Sequence, residues 1–342
     1  MFTAIFGSVE AGAIYALMAL GVYLSFRVLD FPDLTVDGSF VTGAAVAASM
    51  IAAGANPFLA TIMAMICGFA AGCLTGLLHT KGKINPLLSG ILMMIALYSI
   101  NLRIMGKSNV PLLSEETLIT KLSGFWESLP FDSGMASLLT GMGLEGMVPK
   151  TWGILLVMLA VSMVIKLLLD AFLKTDIGLA IRAVGDNETM VRSFSADTDT
   201  LKILGLGLSN GLVAFSGALI AQYNGFSDVG MGIGMIIIGL ASVIIGEAVF
   251  GAKTIFRATL AVICGAILYR IIVTLALRAD FLETGDMKLI TAAIVVCALI
   301  IPRMIDRQRD SRRRKKRRFG EEELKKMAEE GGGQVAAAKT DL

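Results

Sequence analysis

Nine apolar stretches, each close to the length a helix needs to cross a bilayer, divide this chain: about 4–26, 38–54, 57–79, 84–105, 151–172, 201–222, 232–252, 257–278 and 287–305. Roughly 20 apolar residues in a helix cover the hydrocarbon core. There every backbone N–H and C=O must find a partner inside the protein, which selects helices for stretches of this length. The expected fold is an all-α polytopic membrane protein of about nine transmembrane helices. Composition agrees, with 55% of the 342 residues hydrophobic and only 17% charged, whereas soluble domains rarely pass half apolar. The second stretch is the shortest and is rich in Ala and Gly. Glu10 interrupts the first, and no small-residue cleavage site follows it, so no cleavable signal peptide is expected. Cys67, Cys73, Cys264 and Cys297 all fall inside apolar runs without metal-ligand or redox spacing, and read as packing residues.

Lys and Arg set the expected orientation. The tail after Ile301 carries Arg312-Arg-Arg-Lys-Lys-Arg-Arg318, which places the C-terminus in the cytoplasm and, across nine spans, the N-terminus outside. Arg27, Lys81, Lys83, Lys174, Arg182, Arg192, Lys202, Lys253 and Arg257 then face the cytoplasm. Arg103, Lys107, Lys121, Lys150, Arg278 and Lys288 fall on the other side, and Arg270 lies mid-span, where it needs a polar partner or a cavity. The organisation is a transmembrane domain over 1–305, with an external loop at about 106–150, and a charged cytoplasmic tail over 306–342. The basic block fits contact with anionic membrane lipid rather than nucleic acid, because it is tethered at the membrane. Beyond it, Glu321 with Lys325 and Glu322 with Lys326 form i,i+4 pairs before Gly331-Gly-Gly333.

One polar segment, Leu173 to Leu201, stands between two long apolar runs. Thr175-Asp176 is a helix N-cap pair, and Ile177, Ala180, Ile181 and Val184 fall on one helical face. Asp186-Asn187-Glu188 offers a second helix start. A short helix pair held against water by a membrane domain suggests a docking element. Between the first two runs, Asp30-Phe-Pro-Asp-Leu-Thr-Val-Asp-Gly-Ser39 carries a helix-breaking Pro32. It reads either as a capped start of the second span, with Asp37 or Ser39 as cap, or as a broken-helix element near a translocation path. Gly68, Gly72 and Gly76 share one face of the third span, and Gly207 and Gly211 one face of the sixth, a spacing that lets helices approach closely. Polar residues within or beside the spans are Asp37, Asn85, Ser89, Asn101, Asn210, Gln222 and Glu247. Such groups either bond to neighbouring helices or line a pathway.

No catalytic or metal-ligand constellation is present in the sequence, and His79, the single histidine, sits at a helix end. Gly246-x-x-x-x-Gly251-Ala-Lys253-Thr254 departs from a phosphate loop by one residue, and an apolar span rather than a strand precedes it. No cofactor is expected, and any ATP must be hydrolysed by a separate subunit.

Three stretches carry a resemblance. Gly178-Leu-Ala-Ile-Arg182-Ala followed by Asp186-Asn-Glu188, Gly38-Ser-Phe40-Val-Thr-Gly43-Ala44, and Ile238-Gly239-Leu-Ala-Ser-Val-Ile-Ile-Gly246 followed by Gly251-Ala252 together resemble the permease family of branched-chain amino acid and related ABC importers. They match its coupling segment, the start of its second span and its Gly-rich penultimate motif, within a similarity over roughly 1–305. The chain departs from the family at Asp30-Phe-Pro-Asp33-Leu-Thr-Val-Asp37 and at Phe194-Ser195-Ala196. The nearest subgroup pairs one permease with one ATPase and one binding lipoprotein, and has aromatic amino acids among its suggested substrates.

The resemblance implies a homodimeric permease in a bacterial plasma membrane, with ABC ATPase subunits on the cytoplasmic side and an extracytoplasmic substrate-binding lipoprotein on the other. It also implies that the 175–197 segment, with Thr175, Asp176, Ile177, Gly178, Leu179, Ile181, Arg182, Asp186 and Glu188, meets the ATPase. An ion-coupled secondary transporter or channel is the alternative. It would need ionisable groups near mid-span, for which Glu10, Glu247 and Arg270 are the candidates.

Overall fold

The computed structural model describes residues 2–127 and 152–276, with the isolated positions 292, 293 and 296. The chain divides into two compact units, 1–295 and 296–342, and the second is represented only by Val296. In order, the described elements are α1 (Phe2–Val22), a π-helical turn (Tyr23–Val28), α2 (Thr35–Ala52), α3 (Pro57–Thr80), α4 (Pro86–Met105), β1 (Asn109–Pro111) and α5 (Leu118–Glu127). Then come α6 (Gly153–Phe172), α7 (Asp176–Ser193), α8 (Thr198–Asn224), β2 (Phe226–Asp228), a 3₁₀ turn (Val229–Gly232), α9 (Met235–Phe250) and α10 (Ile255–Ala276). Among the described residues eight helices are long and apolar enough to cross a membrane, and they coincide with the first eight expected spans. The ninth, at 287–305, the rest of the external loop and the basic tail lie outside the described residues.

The bundle is built around α1, α2 and α8, the three most deeply buried spans. Its most extensive crossing is α3 on α8. A Cβ at Gly68 would sit 2.2 Å from Ala214 Cβ, and one at Gly72 2.2 Å from the Leu206 carbonyl oxygen. The glycine repeat is therefore a packing surface. Lipid gives helices little hydrophobic reason to associate, so close van der Waals contact of this kind holds them.

Two faces close the bundle. On one, α7 lies beside Arg27, the α3–α4 turn and the α9–α10 turn. On the other, β1 and β2 pair antiparallel, Asn109 opposite Asp228 and Pro111 opposite Phe226. They join the chain leaving α4 to the chain leaving α8.

Non-helical backbone enters the bundle from both faces. Residues 29–34 run inward after the π-helical turn, with Asp30 at φ 52°. Asp33 reaches Asn210, in the middle of α8. Thus α2 starts inside the bundle at Thr35, and the reading of Asp37 or Ser39 as its cap is corrected. Asp33 Oδ1 accepts from Thr35 N–H at 2.9 Å, because Pro32 ends the approach just before it. From the opposite face, residues 225–234 descend to the start of α9, level with Asp37. One turn further along α2, Phe40 stacks on Tyr15, halfway along the first span, Thr3–Val28. Both breaks therefore meet near mid-bundle, and irregular backbone at that depth is tolerated where protein or a cavity satisfies it.

Candidate functional site

Two regions gather most of the candidate side chains: α7, on one face, and a polar core where the two chain breaks meet.

α7 begins as its sequence dictates. Thr175 Oγ1 accepts from Gly178 N–H at 3.2 Å, and Asp176 stands in the first turn, where a negative charge suits the helix dipole. Its buried stripe is Gly178, Ile181, Val184 and Val191, set against Leu29, Leu173 and Leu206. A Cβ on Gly185 would lie 2.1 Å from the Val28 carbonyl oxygen, so α7 rests directly on the turn that ends α1. This corrects one expectation. Ile181 is fully buried in the bundle core and has no surface to offer a partner. Ile177 and Leu179 are half-exposed, and Met190 and Phe194 are exposed with them. Sequence periodicity missed the last two because they follow a break. Asn187 has φ −160° and ψ 92°, and its Oδ1 accepts from Met190 N–H at 3.0 Å, starting a second short helix. The segment is thus a helix pair.

Glu188 ties this second helix to α8. It lies 2.8 Å from Lys202 Nζ and accepts from Arg192 at 3.0 Å. The Lys202 hydrogen bond, more than any other cause, holds its carboxyl below the ordinary glutamate range. His79 completes the corner. Its Nδ1 lies 2.8 Å from the Ile84 carbonyl oxygen and its Nε2 3.4 Å from Lys202 Nζ, so Nδ1 carries the proton and Nε2 accepts. Behind α7, Arg182, Asp186, Arg27, Glu247 and Lys253 line a polar cavity of about 470 Å³. Arg27 Nε donates to Glu247 at 3.0 Å, joining the end of α1 to the end of α9.

The polar residues expected along the spans separate into groups. Asn85 is exposed and accepts from Leu87 N–H at 3.0 Å, capping α4, while Ser89 is buried and donates to the Pro86 carbonyl at 2.8 Å. Glu247 lies in the last turn of α9 rather than mid-span. Gln222 sits towards the β face, donating to Thr61 at 2.8 Å and accepting from Leu118 N–H at 2.9 Å.

Asn210, Asp37 and Asn101 belong to the core. Asn210 Nδ2 donates to Asp33 Oδ2 at 2.6 Å. Asp37 leaves its own helix and caps another, its two oxygens accepting from Gly234 N–H at 2.9 Å and Ile236 N–H at 2.8 Å at the start of α9. Asn101 is fully buried and donates to the Gly38 carbonyl at 3.2 Å.

Sequence reasoning missed Lys166 and Asp170, both buried in α6 with their charged atoms 2.6 Å apart. They meet as an ion pair. Lys166 also faces the Phe256 ring at 3.1 Å, and Asp170 accepts from Thr259 at 2.7 Å. Opposite charges four residues apart inside an apolar run were the available signal. Of the ion-coupling candidates, Glu10 accepts from the Tyr223 hydroxyl at 3.0 Å and Arg270 lies over the Tyr15 ring at 4.1 Å. The Arg27–Glu247 pair is at the α7 face, so these groups form no continuous relay.

Residues 4–301 match the family described as branched-chain amino acid transport system, permease component. The chain belongs to this family. The permease is 43% identical to a tyrosine transport system permease protein of Clostridioides difficile strain R20291, over 84% of this chain and 87% of that one. It is 35% identical to an uncharacterised protein of Rickettsia prowazekii strain Madrid E, over 71% and 76% of the two chains. It is 24% identical to a ribose import permease protein of Escherichia coli K12, over 71% and 68%. It is a multi-pass membrane protein and a transport component.

Proposed function

We propose that this permease is the membrane subunit of an ATP-binding-cassette importer that moves a hydrophobic or aromatic amino acid into a bacterial cytoplasm. Two ATPase subunits engage the α7 face, a binding lipoprotein engages the β face, and a second copy completes a homodimer with the pathway at its interface. α7 carries this reading. Its buried stripe is locked into the bundle, and Ile177, Leu179, Met190 and Phe194 remain outside, apolar groups in a segment otherwise too polar to enter lipid. The substrate class rests on the relative named a tyrosine transport permease.

Basic residues support the orientation. Arg27, Lys81, Lys83, Lys174, Arg182, Arg192, Lys202, Lys253 and Arg257 lie at the α7 face, against Arg103, Lys107 and Lys121 at the β face among the described residues. That asymmetry fits a cytoplasmic α7. ATP binding draws the ATPase subunits together, and α7 passes the motion to α1 through Gly185 and Val28 and to α8 through Glu188 and Lys202. Each ligand must favour one state of the bundle over the other for this to drive transport.

The test is co-purification of the tagged permease with its endogenous partners, followed by ATPase and tyrosine-uptake assays. A bound ATPase that is lost on Leu179→Asp supports the reading. Arg182→Glu should keep the fold and uncouple hydrolysis from uptake. A purified protein free of any ATPase, with uptake driven by an ion gradient, overturns it.

A further inference from the structure

The central helix α2 is covered on most sides by α3, α8 and α4, and its Phe40 ring stacks on Tyr15 of α1. Between α4 and the start of α9 it is uncovered, over a cavity of about 400 Å³ lined by Asp37, Val41, Met94, Tyr98, Asn101 and Ile233. The walls are almost wholly apolar, with one aromatic ring, and two groups break that pattern. Asp37 brings a carboxylate whose oxygens already accept from the α9 backbone. Asn101 spends its N–H on Gly38, and its Oδ1 has no hydrogen-bond partner among the described residues although the side chain is fully buried. A buried acceptor left without a donor is destabilising. The cavity therefore offers acceptors and negative charge, no cation, and an apolar bed.

We infer that this cavity is a transit site for an apolar solute bearing a primary ammonium. Asn101 Oδ1 is shut off from the surface as it stands, so a turn of its side chain opens it to the solute nitrogen, which donates to it and lies near Asp37, with the aromatic or aliphatic body on Tyr98, Met94 and Val41. An ammonium supplies donors and positive charge together, so it satisfies Asn101 and balances Asp37 at once. The inference deepens the importer reading and rests on it for direction and energy source, but not for the chemistry of the cavity.

The full-length permease, with Cys67, Cys73, Cys264 and Cys297 changed to Ala, is reconstituted in liposomes with Ser99→Cys, a lining position. Two methanethiosulfonates are compared, one carrying a quaternary ammonium and one a sulfonate, each rate divided by its rate with a free thiol. The cationic reagent should react about tenfold faster, as expected for a cleft that concentrates one sign of charge. Tyramine and tyrosine should slow it, 3-(4-hydroxyphenyl)propionate should not, and Asn101→Leu should abolish the protection. If Ser99→Cys does not fold, Ile95→Cys, another lining position, reports on the same wall.

Equal rates for the two reagents, or no labelling, overturn the inference. So does protection that survives Asn101→Leu. Failure here with an ATPase still co-purifying removes the transit site and leaves the importer reading intact. Success here without an ATPase keeps the site and removes the energy source.

Discussion

Lys166 and Asp170 show what one pair of side chains demands of a membrane protein. Both are buried in a span, 2.6 Å apart. Removing one member of such a pair strands the other, at about 3–5 kcal/mol, whereas replacing both with apolar groups of similar volume is often neutral. Lys166→Met alone should therefore lower the unfolding midpoint in detergent markedly, and Lys166→Met with Asp170→Leu should recover most of it. A double variant as unstable as the single would mean that the pair contributes through Thr259 and Phe256 rather than through charge. The same logic applies at Asp33, where Asn210→Leu should destabilise more than the conservative Asp33→Asn, read by the same midpoint. At this scale the sequence was partly legible. It marked Asn210 and Asn101 as polar groups in spans, but not their partners, since Asp33 lies 177 positions from Asn210 and Gly38 63 from Asn101.

Among the elements, the α3–α8 crossing and α7 obey different rules. The crossing depends on absent side chains. Gly72→Ala should cost about 1–3 kcal/mol through overpacking, because the added carbon meets the Leu206 carbonyl oxygen at 2.2 Å. Gly124→Ala in α5 meets nothing within 4 Å and serves as the control, both read as thermal midpoints. α7 depends on charge at its second half. Glu188 has a depressed pKa in the folded protein, so its tie to Lys202 contributes fully above the ordinary glutamate range and is lost as pH falls through the lower folded value. Hydrogen exchange over 187–193, corrected for intrinsic rates, should show weaker protection near pH 3 than at pH 7, and Glu188→Gln should remove that pH difference. The glycine spacing of the crossing could be read directly, because i,i+4 positions share a face. The burial of Ile181 could not. Ile177 and Ile181 look alike in a periodic pattern, and only packing on Leu29 and Leu206 separates them.

In the whole molecule, eight of the expected spans were legible from hydropathy because lipid leaves helices so little choice. The two inward-running chain breaks were only half legible. Pro32 announced the first, whereas the Gly-rich run 230–234 carries no comparable signal for the depth at which α9 begins. The arrangement of these parts also constrains how the molecule can move. β1 and β2 fasten the far ends of α4 and α8 to each other by backbone hydrogen bonds, and Leu112 N–H adds one more to the Gly225 carbonyl at 2.8 Å. Among the described residues their near ends have no comparable strap, and under the proposed coupling α8 is where α7 would push. A pinned end and a driven end make a lever. On that reading the stroke would be wide at the driven end and small at the pin, and the cavity beside Asn101 lies close to the pin. Cutting the strap with Val110→Pro should leave α7 free to bind its partner while the stroke no longer converts into a controlled opening, so ATP turnover should persist as uptake falls.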